Sequence, residues 1–186
     1  MPYHHGDLRR ALLAAAAEMI ERDGPAALSL RELARRAGVS HAAPAHHFKD
    51  RTGLLTALAA EGYELLADAL EAAGDDLLES GVAYVRFAVE RPAHFAVMFQ
   101  PGLYRADDPL VTAARDRADA RLGAALAALP PDGRAGSAEE RESAEVAAWS
   151  VVHGFAALWI GGALPPELGD DPVAAARAVL SRFSVS

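Results

Sequence analysis

The chain has 186 residues, 18 Lys+Arg against 26 Asp+Glu for a formal net charge of -8, 52% apolar residues and no cysteine. That length and apolar fraction predict one domain or two small ones with a sizeable core, and exclude a mainly disordered chain. The missing thiol excludes disulfides, thiolate catalysis and cysteine-ligated zinc or iron–sulfur sites.

Helical periodicity runs the length of the chain with no sustained strand-type alternation, so the fold class read from it is all-α, with about nine helices and no internal repeat. Leu8, Leu12, Ala15 and Met19 make the apolar stripe of a first helix from about Asp7 to Arg22, closed by Asp23-Gly24. The apolar run Ala11–Ile20 inside it, interrupted by Glu18, is too short to span a bilayer and is closed by Arg10 and Glu21, so neither a signal peptide nor a membrane anchor is expected. Ser29-Leu30-Arg31-Glu32 has the form of a capping box and starts a short second helix, which ends after Ala37 at Gly38. Ser40 stands where it would cap a third helix, His41 to about His47. Pro44 falls in that helix's first turn and removes an amide that would bond the Ser40 carbonyl, which predicts an irregular start.

Lys49-Asp50-Arg51-Thr52 leads into a longer fourth helix carrying Leu54, Leu55, Leu58, Leu65, Leu66 and Leu70. Further helices are expected over Asp75–Glu90, Pro92–Phe99, Pro109–Leu129, Glu140 to about Gly161, and Pro172–Phe183, with Pro and Gly at the breaks. Pro130–Arg141 is the most linker-like stretch and reads as a mobile surface loop. The expected division is a head of residues 1–60 and a body of residues 61–186.

Charge is uneven along the chain. Residues 1–52 hold eight basic and six acidic side chains, net +2, and five of the seven histidines, while the rest carries -10. A slightly basic head on an acidic body suits a head that touches a polyanion, although chance clustering of surface charge gives the same count. The second and third helices around Gly38 have the form of a helix-turn-helix, and a plain helical hairpin has that form too. In the DNA-binding version the second helix of the motif lays its N-terminal residues against base edges in the major groove. Ser40, His41, Ala42 and Ala43 suit that placement, since His41 can donate or accept at a base edge and the alanines can meet thymine methyls. Ser29, His46, His47, Lys49 and Arg51 suit phosphates, which set register without reading sequence.

The run Leu28-Ser29-Leu30-Arg31-Glu32-Leu33-Ala34-Arg35-Arg36-Ala37-Gly38-Val39-Ser40, with His46-His47-Phe48 and Arg51-Thr52-Gly53-Leu54-Leu55, resembles the DNA-binding head of the tetracycline-repressor (TetR/AcrR) family of bacterial transcription regulators. The likeness covers about the first 60 residues. Trp149-Ser150-Val151-Val152-His153-Gly154, with Arg91-Pro92-Ala93-His94-Phe95 and Met98-Phe99, resembles a regulatory-domain subgroup named for its Trp-His-Gly motif. The resemblance implies a cytoplasmic homodimer on a pseudo-palindromic double-stranded DNA operator, released by a small-molecule effector in the body. It places Arg31, His41, Ala42 and Ala43 at bases, and Ser29, His47 and Arg51 at phosphates. One departure stands out: Ala45 occupies the place where most members carry a Tyr that touches the DNA backbone. Arg51 replaces a common Lys and keeps its charge.

In the body, Ala147, Ser150, Gly154, Ala157 and Gly161 form a small-residue stripe on the eighth helix, and Val173, Ala176, Leu180 and Phe183 a stripe on the last. Two such helices per chain fit a four-helix dimer interface, and intramolecular core is the equally open reading of the pattern. Tyr63, Phe87, Phe95, Met98, Phe99, Tyr104, Trp149, Val152, His153 and Trp159 are candidates for an apolar pocket with little polarity, although each by itself reads as ordinary core. No cofactor or metal is expected, since adjacent pairs such as His46-His47 point about 100° apart on a helix and do not converge on one ion. No hydrolase, metalloprotease, phosphate-loop or dinucleotide motif is present, so an enzyme is not expected. The remaining rival is a helical small-molecule-binding protein without a DNA role.

Overall fold

The computed structural model describes residues 5–128 and 137–183. Most of the expected loop at Pro130–Arg141, and His4, lie outside them. Among the described residues there are nine α-helices and no strand: α1 (His5–Asp23), α2 (Leu30–Arg36), α3 (Ala42–Phe48), α4 (Arg51–Ala73), α5 (Leu77–Glu90), α6 (Pro92–Met98), α7 (Pro109–Ala127), α8 (Ala138–Ile160) and α9 (Pro172–Leu180). The all-α expectation therefore holds. They divide into two compact units, Met1–Tyr63 with Arg91–Ala114, and Glu64–Glu90 with Arg115–Ser186.

In the first unit α1 buries Leu12, Leu13, Ala16, Met19 and Ile20, and α4 buries Leu54, Leu55 and Leu58. Gly24, at φ 77°, turns the chain out of α1, and its amide donates to the Ile20 carbonyl at 2.8 Å. α6 packs on α1 and on the short 3-10 turn Pro25–Ala27. Its C-terminal carbonyl at Met98 accepts from the Tyr63 hydroxyl at 3.1 Å and the Tyr104 hydroxyl at 2.7 Å, satisfying a group that helix geometry leaves orphaned. His94 on α6, 7% exposed, hydrogen-bonds Glu61 on α4 at 3.1 Å.

In the second unit α5 packs on both α8 and α9. Gly81 permits that approach, because a Cβ there would lie 2.9 Å from Leu180 Cδ1 and 3.2 Å from Val152 Cγ1. Arg117 on α7 pairs with Glu64, Asp68 and Glu71 along one face of α4, Arg121 with Asp75, and Arg177 on α9 with Glu79 on α5. Exposed ion pairs contribute about 0–1 kcal/mol each, so these fix helix register more than they hold the fold.

Two helix starts differ from the sequence expectation. At α2 the Ser29 hydroxyl accepts from the Glu32 amide, but at 3.5 Å, and the Glu32 carboxylate turns away to Arg35 and Arg36, leaving the capping box half formed. The complete box is at α8. There Ser137 accepts from the Glu140 amide at 3.1 Å, and its own amide donates to the Glu140 carboxylate at 2.6 Å, so the helix begins at Ala138.

Two glycines bound the tolerance of the first unit. A Cβ at Gly53 would collide with the Phe48 carbonyl oxygen, which is backbone and cannot swing aside, whereas at Gly62 it would meet the Met98 thioether at 2.5 Å. Gly53→Ala is expected to destabilise by ~3 kcal/mol and Gly62→Ala by less than ~1.5 kcal/mol, since the Met side chain re-packs. Urea unfolding of both variants checks this, and equal losses would contradict it.

Candidate functional site

The second and third helices are separated by a turn that the sequence makes unavoidable. Gly38 adopts φ 64°, its amide donates to the Arg35 carbonyl, and the Val39 amide reaches the Ala34 carbonyl at 3.0 Å. This is a Schellman closure, which satisfies the last carbonyls of α2 with a glycine in the left-handed region. No side chain caps α3. Its N-cap is His41, and the Ser40 carbonyl accepts from Ala43 at 3.0 Å in a tighter turn, which removes the conflict with Pro44. The expected Ser40 cap is corrected accordingly, while the irregular start is as expected.

α3 buries Pro44 and Phe48 and exposes His41, Ala42, Ala45 and His46, with Lys49 exposed just beyond. Ala42, Ala45, His46 and Lys49 follow one another at spacings of three, one and three, a single stripe on the outer face. Ala43 and His47 are half-buried, so the two-alanine surface is Ala42 and Ala45, not Ala42 and Ala43. The Arg9 guanidinium lies 5.5 Å from the Phe48 ring centre, on the covered side. Ser29, Arg31, Glu32, Arg35 and His41 line one open depression between α2 and α3. Arg35 grips Glu32 with two nitrogens, at 2.8 and 2.6 Å, and Arg36 adds a third bond at 3.0 Å. Those bonds, from Arg35 first and then Arg36, hold the Glu32 carboxyl down to about 2. Arg31 stays outside that network and is exposed.

Arg51 is used differently from the expectation. Its guanidinium donates to the carbonyls of Leu28 at 3.1 Å and Pro25 at 2.6 Å, binding the start of α4 to the approach of α2. It works as an internal clamp instead of reaching outward to a phosphate.

Past α3 the chain reverses at Lys49, the only lysine in the sequence. Lys49 has φ 68° and ψ -61°, its amide still bonds Ala45 at 2.8 Å, and the Asp50 amide donates to the Phe48 carbonyl at 2.9 Å. This is a three-residue γ-turn with a non-glycine residue at positive φ, a rare geometry costing on the order of 1–3 kcal/mol.

The expected pocket residues separate into two groups. Tyr63, Phe95, Met98, Phe99 and Tyr104 belong to the first unit, where Tyr63–Phe99 and Phe95–Phe99 ring centres are 6.2 and 5.1 Å apart. Phe87, Trp149, Val152, His153 and Trp159 belong to the second. There the Trp149 indole nitrogen lies 3.3 Å from the Tyr84 hydroxyl, which lies 2.9 Å from His153 Nδ1. An indole N–H only donates, so the Tyr84 hydroxyl accepts from it, while the direction of the Tyr84–His153 bond follows the imidazole tautomer. Burial disfavours the imidazolium and lowers the His153 pKa. Tyr84, itself pushed up by burial, is a member that the sequence did not single out.

On α8, Ala147, Ser150, Ala157 and Gly161 are exposed and Gly154 is half-buried, and a Cβ at Gly154 would meet nothing within 4 Å. Val146 and Leu158 flank this strip at 53% and 48% exposure. On α9 the expectation is corrected for two residues: Ala176 and Leu180 are buried in their own chain, in a helix packed on α5, so the chain spends them on its own core. Val173 is half-buried and Phe183 is exposed.

An exposed, cation-flanked second helix after a Schellman turn, in a chain that also holds a separate helical unit, defines the class of helix-turn-helix regulators. Residues 12–58 match the model of bacterial regulatory proteins of the tetR family, and residues 77–183 that of the tetracyclin repressor-like C-terminal domain. The chain therefore belongs to the tetR family of transcription regulators, whose members are not enzymes. Among solved structures it is similar to a protein of unknown function from Rhodococcus sp. RHA1, at 35% identity over 99% of this chain and 96% of that one, with a TM-score of 0.78. It is also similar to the TetR family transcriptional regulator PfmR from Thermus thermophilus, at 25% identity over 91% and 94%, TM-score 0.69. The multidrug binding protein EbrR, solved with imidazole, shares the fold at 21% identity over 98% and 93%, TM-score 0.60. No curated protein matches the chain.

The His153 environment has a measurable consequence. The folded chain resists protonating this imidazole and the unfolded chain does not, so its contribution is whole above about pH 6.5 and is lost as pH falls toward the lowered folded value. The melting temperature is expected to drop over that window, and His153→Gln to drop less. Parallel pH curves for the two proteins would contradict the assignment.

Proposed function

We propose that the protein is a homodimeric repressor. Two α3 helices lie in successive major-groove faces of a pseudo-palindromic operator, and an apolar or aromatic effector bound in the body releases the DNA. The observation that carries this reading is the exposed side of α3 and its N-cap, where Ala42, Ala45, His41 and His46 stand clear of the core beside Arg31 and Lys49. Small residues allow close approach to base edges, while the flanking cations neutralise phosphates. His41 and Arg31 are assigned to bases, and Ser29, His46 and Lys49 to the backbone, with His47 half-buried at its margin.

The second copy is assigned to the α8 strip. A surface of Ala147, Ser150, Gly154, Ala157 and Gly161 lets two helices cross closely, and Val146 and Leu158 supply apolar area that water otherwise wets. For the effector, the Trp149–Tyr84–His153 chain supplies polar groups among the aromatics of the second unit, the composition of a site for a largely apolar ligand. With DNA as its partner the protein works in the cytoplasm, apart from any membrane.

Arg31→Ala or His41→Ala is expected to weaken operator binding by ~1–3 kcal/mol without unfolding the chain. Unchanged gel-shift affinity for both would remove α3 as the reader. The single lysine gives an independent check: with an amine-acylating reagent, operator DNA is expected to protect Lys49, read by mass spectrometry of the peptide that contains it. Equal labelling with and without DNA would count against the docking.

For the dimer, Gly154→Leu adds bulk where the lone chain has open space, so it is expected to leave helicity intact and break the dimer. Light scattering that still shows a dimer would contradict the α8 assignment.

A further inference from the structure

The γ-turn at Lys49 survives only if its surroundings over-determine it. On its N-terminal side the anchors are local: Phe48 is buried, and the Lys49 amide bonds Ala45. On its C-terminal side the anchor is Asp50, and Asp50 is held from far along the chain. One carboxylate oxygen accepts from the Gly53 amide at 2.6 Å, capping the start of α4, while the other accepts from Arg105 Nη2 at 2.8 Å. Arg105 is itself fixed at its backbone, since its amide donates to the Thr56 hydroxyl at 3.0 Å, and that hydroxyl donates to the Thr52 carbonyl at 2.7 Å. The guanidinium thus arrives pre-aimed, resting over Gly53, where a Cβ would come 3.2 Å from Nη1. Arg105 lies outside residues 12–58, the part matched to the family's DNA-binding head, yet it falls in the same compact unit.

We propose that Arg105 is a positioning residue for DNA binding: through Asp50 it braces the γ-turn that aims Lys49 and the C-terminal end of α3 at the phosphate backbone. The inference rests on α3 being the DNA reader. Its reach follows from the geometry, because a turn of three residues has no slack between Asp50 and the end of α3. A brace acts by preorganisation: without it the turn still reaches the bound geometry at a conformational cost, so affinity falls while Lys49 keeps its phosphate contact. That separates it from the rival role open to an arginine whose side chain is 43% exposed, namely touching phosphate itself.

The test uses the full chain and a duplex that the wild-type protein selects from a random-sequence pool. Affinity is measured across a salt series at a temperature where circular dichroism shows every variant folded. Arg105→Ala is expected to bind about two- to fivefold more weakly, the range for an exposed ion pair, with the slope of log affinity against log salt unchanged. Arg105→Lys is expected to recover most of the loss. Asp50→Asn keeps an oxygen for the Gly53 amide but loses the charge, so adding Arg105→Ala to it is expected to cost nothing more. A slope smaller by about one in Arg105→Ala would make Arg105 a direct phosphate contact and overturn the proposal. Unchanged affinity would overturn it, and so would additive losses in the double variant. Should Arg105→Ala not fold, the same cycle is read with Arg105→Gln, which keeps the bulk and loses the charge, and Asp50→Asn. A wild-type chain that selects no duplex would remove the reading role of α3 and this inference with it, whereas wild-type binding with an idle Arg105 removes this inference alone.

Discussion

A helix of seven residues has no stability of its own in water, because forming its first turn costs more chain entropy than its few hydrogen bonds return. α3 exists only because the rest of the first unit imposes it. Phe48 and Pro44 go into the core, the Schellman turn at Gly38 delivers the chain at a fixed angle, and Arg51 clamps the start of α4 to the carbonyls of Pro25 and Leu28. The outer face is then free to carry residues that take no part in the core. Its small side chains would be poor choices for stabilising a helix by packing, and here they do not have to.

That division explains which features were legible in the sequence. The helix count, the turn at Gly38 and the burial of Leu54, Leu55, Leu58, Leu66 and Leu70 on α4 rest on periodicity and on residues with few backbone options, and they came through, while Leu65 is half-buried. The outward face of α3 did not, because Ala43 and Ala45 stand about 200° apart on a helix and only the burial of Pro44 and Phe48 decides which of them points outward. Ser29 and Glu32 have the spacing of a capping box, but Arg35 and Arg36 compete for the same carboxylate and win it. Arg51 looked like a phosphate ligand because its type suits one, and nothing local reveals two carbonyls more than twenty residues upstream. Tyr84 and Arg105 were missed for the same reason: each is defined by a partner that only tertiary folding brings near.

α8 shows how far composition alone can mislead. By length and apolarity Ala138–Ile160 is the one helix among those described that could cross a bilayer, with only 11% of its most apolar window buried. Its first turns carry Glu139, Glu140 and Arg141, and the exposed apolar residues gather on one side while Phe155 and Ala156 are covered on the other. Small Ala147 and Ala157 share the exposed surface with bulky Val146, Trp149, Leu158 and Ile160, so what marks the helix as part of the folded second unit is its charged start and its packing on α5.

The scarcity of lysine has an effect of its own. Of the 18 cationic side chains only Lys49 is an amine, and guanidinium groups stay protonated at any pH a cell reaches. The triple grip of Arg117 on Glu64, Asp68 and Glu71 therefore does not weaken as the medium turns alkaline. Apart from Lys49, the tyrosines and the chain's own amino end, every change in this molecule's charge comes from carboxylates and imidazoles, so its electrostatic balance is adjusted chiefly from the acid side.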